Sequence, residues 1–177
     1  MILSDTEILN EIENGNIIIE PFDRNNLGSN SYDVCLGNKL AVYENDELDA
    51  REHNKVKQIV IPEEGYILEP GTLYLGTTKE YTETLKHVPF LEGKSSTGRL
   101  GISIHATAGK GDVGFKGNWT LEITTTHKIR VYPDMPIGQL IYFDVKGDVQ
   151  VMYDKKDSAK YSNQPDKPVE SMMWKNF

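Results

Sequence analysis

Apolar residues change their spacing early in the chain. Ile8, Leu9 and Ile12 fall on one helical face, and Ser4 stands three residues before Glu7, the spacing of a capping box. Asn14-Gly15-Asn16 then supplies residues that end helices, so a short N-terminal helix is predicted over about residues 5–14. Beyond it, short runs rich in Val, Ile, Tyr, Phe and Thr are punctuated by Gly, Pro, Asn and Asp. Strands are predicted at Lys39–Tyr43, Gln58–Ile61, Tyr66–Leu68, Thr72–Thr77, Gly101–His105, Trp119–Thr124, Ile129–Tyr132, Gln139–Val145 and Val149–Tyr153. Many short strands point to a sandwich, jelly roll or small barrel. The absence of a β-α-β rhythm argues against a Rossmann-type fold.

From Asp154 the pattern turns polar, yet the chain closes on Met172-Met173-Trp174-Lys175-Asn176-Phe177. A frayed tail seldom carries such large apolar residues. The segment 154–177 is therefore expected to dock on the body or on a neighbouring subunit, as a lid. A length of 177 residues suits one domain, 1–177, with a core of useful size.

Composition narrows the partners. The formal net charge of −8 disfavours nucleic acid, although a few local cations can still hold a small anion. With 38% hydrophobic and 26% charged residues, and apolar runs far too short for a bilayer, neither a membrane protein nor a disordered chain is expected. The N-terminus has no basic stretch and no apolar segment of the kind a secretory signal needs. Cys35 is the only cysteine, which rules out an internal disulfide and fits the cytoplasm.

Three segments could carry chemistry. Phe90–Gly101 brings two serines, Ser95 and Ser96, together with Lys94, Arg99 and three glycines. Backbone amides freed by glycine, with hydroxyls and cations, make a phosphate or oxyanion cradle, and an ordinary polar turn fits the composition equally well. In Gly101–Phe115, Ile102 and Ile104 alternate with Ser103 and His105, and three glycines then flank Asp112 where backbone could approach a ligand. In Trp119–Thr126, Trp119, Leu121 and Ile123 should face one way and Thr120, Glu122 and Thr124 the other. A strand glutamate usually faces solvent, but Glu122 has small neighbours and could reach into a cleft. No zinc site is spelled out. Nucleobase deaminases that use zinc need His-x-Glu and Pro-Cys-x-x-Cys, whereas this chain has Cys35 alone and four scattered histidines.

Taken in order, these segments resemble the dCTP deaminase family, which shares its fold with the trimeric dUTPases. The resemblance rests on Met1–Ser4, Asn30–Gly37, Glu92–Gly101, His105–Gly109, Asp112, Gly114-Phe115, Thr120–Glu122, Pro136–Leu140 and Ala159–Gln164. It implies a mainly β fold, a distorted jelly-roll barrel with a short N-terminal helix, assembled as a homotrimer with active sites between subunits. It also implies hydrolytic deamination of dCTP without zinc. Glu122 would be the general base, taking a proton from the water that attacks C4 of cytosine. Ser95 and the carbonyl of Ala108 would orient that water, and Arg99 would hold the charge geometry around it. Lys94, Ser96, Thr107, Lys110, Asp112, Tyr153, Lys160 and Gln164 would hold the nucleotide, with Mg²⁺ bridging its triphosphate. Asp33 and Asp112 are candidate structural supports. dTTP is expected as a feedback inhibitor.

The chain departs from the family pattern at four places. Cys35 stands where arginine is usual, Lys94 where arginine is frequent, and Gly111 and Val113 where isoleucine and proline often flank the aspartate. Gly109 matches relatives that also cleave the triphosphate to dUMP, but Lys110 replaces the aromatic residue those forms tend to have next. Deamination alone, giving dUTP, is the first expectation by a modest margin. The alternative is a bifunctional deaminase and diphosphatase. A plain dUTPase fits less well, because its glycine-rich C-terminal motif has no counterpart after Gly147. A non-catalytic nucleotide-binding trimer fits less well again, because Ser95, Arg99 and Glu122 are all retained.

Overall fold

The computed structural model describes residues 1–177. Helix α1 (Asp5–Glu13) begins at Ser4, whose Oγ accepts from the Glu7 amide at 3.3 Å, so the predicted cap is in place. Gly15 at φ +72° ends it in the left-handed region. Ile8 is fully buried and pins the helix to the body.

The rest is β structure: β1 (Ile17–Glu20), β2 (Tyr32–Tyr43), β3 (Val56–Val60), β4 (Tyr66–Leu68), β5 (Tyr74–Thr84), β6 (Val88–Gly93), β7 (Ile102–Ser103), β8 (Lys116–Thr125), β9 (Ile129–Val131) and β10 (Pro136–Phe143). A single helical turn, α2 (Ser95–Arg99), separates β6 from β7. Eight strands make a nearly closed, barrel-like sheet in the order β6-β10-β2-β5-β8-β7, with β1 on β5 and β3 on β2. Strands β4 and β9 form a separate ribbon. The mainly β expectation holds.

Two long strands make the closure possible. β2 pairs with β10 through Tyr32–Cys35 and with β3 through Lys39–Tyr43. β5 pairs with β8 along its length and with β1 at its far end. Register shifts at Leu36/Leu40 and Thr77/Tyr81 bend these strands so that each serves neighbours in different directions. The core inside this curve includes Tyr32, Val34, Leu36, Leu40, Leu121, Ile123, Ile137 and Leu140.

One irregular stretch of β2 and β5 holds a buried carboxylate. Glu80 Oε2 accepts from the Cys35 amide at 2.9 Å, and burial raises the Glu80 pKa. Burial, and then the nearby Glu80, push the Cys35 thiol up to about 11. Cys35 is therefore a core group without thiolate character at neutral pH.

Two predicted strands need correction. Val149–Tyr153 forms no strand: Val149 and Val151 are exposed, and a 3₁₀ turn begins at Tyr153. β6 is paired by β10 on one side and by Gly109 and Gly111 on the other, so it offers this segment no free edge. Gly101–His105 shortens to Ile102–Ser103, because the chain then leaves the sheet to shape the site.

Candidate active site

β8 lies between β5 and β7 and alternates as its sequence predicts. Leu121 and Ile123 are buried, while Thr120 and Glu122 are half-buried on the other face. The Glu122 amide donates to the Ile104 carbonyl at 2.8 Å, and the Ala106 amide donates to Glu122 Oε2 at 3.1 Å. Backbone and side chain of one residue are thus tied to the same loop. That fixes the carboxylate's direction and leaves lone pairs free for water or substrate.

The loop after β7 owes its path to glycine. The Leu91 amide donates to the Gly109 carbonyl at 2.7 Å, and the Gly111 amide to the Pro89 carbonyl at 2.8 Å. A Cβ on Gly109 would stand 2.6 Å from the Leu91 carbonyl oxygen, a backbone atom that cannot swing away. A Cβ on Gly111 would stand 2.6 Å from Cη2 of Trp119. The indole therefore occupies the space that a larger residue before Asp112 would need, and the departure at Gly111 has a local physical reason.

These elements wall a cleft of about 570 Å³. Of the residues singled out in the sequence, Ala108, Lys110, Asp112, Glu122, Tyr153 and Gln164 line it. Lys110 and Asp112 form an ion pair at its mouth. Phe115 and Trp119 pack with centroids 4.5 Å apart, and Phe115 and Tyr153 with centroids 6.4 Å apart, giving the cleft an aromatic side. The cleft thus joins apolar rings, a positioned carboxylate and a cation, as a small polar aromatic ligand with an anionic tail requires.

The C-terminal segment covers this cleft. Gln164 runs beside β8: its carbonyl accepts from the Asn118 amide at 3.2 Å, and its Oε1 accepts from Thr120 Oγ1 at 2.6 Å. Gly117, at φ +131°, allows that approach, since a Cβ there would sit 2.5 Å from the Gln164 nitrogen. Thr120 Oγ1 also accepts from the Val169 amide at 3.2 Å. Tyr43, Tyr161, Glu170 and Ser171 also line the cleft and were not singled out as site residues from the sequence. Tyr43 sits at the end of a strand and the others in a polar tail, so periodicity gives them no signal.

The remaining candidates lie elsewhere. Lys94 is ion-paired with Asp33, and Lys160 bonds to Asn176. Thr107 is exposed and does not line the cleft. Ser95, Ser96 and Arg99 are on α2, exposed, with no side-chain hydrogen bond or ion pair within the chain. The turn itself is firmly anchored, because Thr97 Oγ1 donates to the carbonyls of Lys94 at 2.8 Å and Ile137 at 3.3 Å.

A profile of the dCTP deaminase-like family matches residues 2–145. The chain belongs to the dCTP deaminase-like family. This family member is 54% identical over 178 residues to a protein of Clostridium beijerinckii called dCTP deaminase, dUMP-forming. Proteins of the same name from Hathewaya histolytica and Cytophaga hutchinsonii are 52% and 49% identical. Each alignment covers 100% of this chain and 99% of the relative. In three dimensions the dCTP deaminase-like chain resembles the crystal structure of 2'-deoxycytidine 5'-triphosphate deaminase from Agrobacterium tumefaciens, with a TM-score of 0.65 at 22% identity. The match covers 81% of this chain and 48% of that one, so the chain spans about half of its length and the likeness is one of fold.

Proposed function

We propose that the protein is an enzyme that deaminates dCTP and cleaves its triphosphate, releasing ammonia, dUMP and pyrophosphate. The observation that carries this reading is the Glu122 carboxylate, held by the Ala106 amide in a cleft shared with the Ala108 backbone, Lys110 and Asp112. The names of the dUMP-forming relatives favour the bifunctional alternative over the sequence-based preference for dUTP. The fit of Gly109 against the Leu91 carbonyl, which leaves no room for a larger side chain, agrees with that alternative.

In the first half-reaction Glu122 takes a proton from water as its oxygen bonds to C4 of cytosine, and passes the proton to N3. Glu122 then carries the remaining C4 hydroxyl proton to the amino group, the C4–N bond breaks as C4=O forms, and ammonia leaves with a uracil carbonyl at C4. The Ala108 carbonyl is placed to hold the water from this chain. Ser95 and Arg99, outside their own cleft, serve the cleft of a neighbouring subunit in a homotrimer. In the second half-reaction water adds to the α-phosphorus and pyrophosphate departs. No group of three His, Cys, Asp or Glu side chains forms a metal cage. The Asp112 carboxylate at the open mouth suits Mg²⁺ carried on the triphosphate, where the ion would neutralise phosphate charge, while Lys110 would meet the phosphates directly. Lys110, Tyr153 and Gln164 would bind the nucleotide, with Lys94, Ser96, Thr107 and Lys160 reaching it across subunits or on lid movement. dTTP, also a pyrimidine deoxynucleoside triphosphate, would compete for the same cleft. No helix is long and apolar enough to cross a membrane; the lone buried thiol fits a cytoplasmic enzyme.

The test is incubation with dCTP and Mg²⁺ without zinc. Ammonia, dUMP and pyrophosphate should appear in equal amounts. Ammonia with dUTP alone would overturn the second half-reaction, and no ammonia would overturn the activity.

A further inference from the structure

The loop between β2 and β3 (residues 44–55) rises beside the C-terminal segment and meets it repeatedly. His53 Nε2 lies 2.7 Å from Glu170 Oε1, and the His53 ring is 5.8 Å from that of Trp174. The Arg51 guanidinium stands 5.1 Å over the Phe177 ring. At the root of the loop, Tyr43 Oη accepts from the Ser171 amide at 3.1 Å, and Lys39 pairs with Asp166 at 2.8 Å. These contacts meet residues 166–177, the stretch that follows the strand-like pairing of Gln164 with β8. Glu170 itself lines the cleft, whereas Arg51 and His53 do not.

We infer that the β2–β3 loop is a keeper for the lid, in which His53 positions Glu170 at the rim of the cleft and Arg51 holds the chain end. The inference rests on the lid reading of the proposed function. Burial works to raise the Glu170 pKa, but the hydrogen bond from His53, together with a backbone hydrogen bond and the charges of His53 and Lys167, outweighs it and holds the carboxyl below its usual range. The contacts are individually weak, because the His53 side chain is 52% exposed and its partner 28%. That weakness suits a clasp that must release product: several small contacts seat the lid without locking it. Large apolar residues at the end of a polar tail also gain a purpose, since Trp174 and Phe177 are the surfaces the loop grips.

His53→Ala, Arg51→Ala and the double variant test this, with His53→Gln as the conservative rescue that keeps an N–H donor for Glu170. Trypsin digestion of the ligand-free enzyme, followed by mass spectrometry, reads cleavage after Lys160 and Lys175. The single variants should lose the tail about threefold faster, and the double variant about tenfold faster, as expected when exposed contacts are removed. KM for dCTP should rise by about the same factors, with kcat within about twofold and unfolding temperature unchanged, and His53→Gln should recover most of the protection. Wild-type cleavage and KM in the double variant would overturn the keeper. So would a fall in kcat that merely follows a fall in unfolding temperature. A wild-type enzyme that does not turn over dCTP would defeat the proposed function, while the cleavage rates would still judge the keeper.

Discussion

Glu122→Gln is expected to lower ammonia release from dCTP by about 10³-fold, the scale of a lost general base, while leaving dCTP binding within a few-fold. The substitution is nearly isosteric. The amide oxygen can still accept from Ala106, as the carboxylate does at 3.1 Å, and the backbone bond to Ile104 is untouched. Only the capacity to take a proton from water is removed. Binding by calorimetry together with steady-state kinetics separates the two effects. Retention of a tenth or more of the wild-type rate would remove Glu122 from the reaction.

Arg99→Ala should be the second large loss, about 10²-fold in kcat/KM, as for removal of a charged group that stabilises a developing anion. Its unusual feature is the expected lack of any structural cost. Arg99 is exposed and makes no side-chain hydrogen bond or ion pair within its own chain, and α2 is anchored through Thr97 instead. The unfolding temperature should therefore stay at the wild-type value. A side chain idle in its own subunit yet needed for turnover must act on a cleft other than the one beside it. Wild-type activity in Arg99→Ala would leave α2 as a structural turn.

The sequence announced some parts of this molecule far better than others. α1 was readable because Ser4, Glu7 and the Ile8 face are local signals, and all three act locally in the structure. β8 was readable because one face is buried and the other meets the cleft, so its period of two survives. The start of β2 and all of β6 were harder to find from periodicity. At the start of β2, Val34 to Gly37 are buried without a break, so alternation is lost there; β6 contains Pro89 and ends on the exposed Glu92 and Gly93, residues that weaken a strand signal. Val149–Tyr153 failed in the opposite sense, since β-branched residues can mark a strand only where a partner edge is free. At the site, Glu122 was visible as a charge out of place in a strand and Asp112 as one in a glycine loop, whereas Lys110 came only with the family resemblance. Tyr43, Glu170 and Ser171 were not, because their role arises from a tail folding back over 100 residues of sequence separation, as the bond from the Ser171 amide to Tyr43 shows.

The central claim is a dCTP-deaminating site built from Glu122 of one subunit and α2 of another. It is tested most directly by mixing the two variants. Glu122→Gln and Arg99→Ala proteins, each inactive alone, are co-expressed with different tags and purified as mixed trimers. Every mixed trimer, whichever variant is in excess, places an intact Glu122 beside an intact Arg99 at one site of its ring, so ammonia and dUMP should form from dCTP at about a third of the wild-type rate. Mixed trimers no more active than their parents would contradict the shared site.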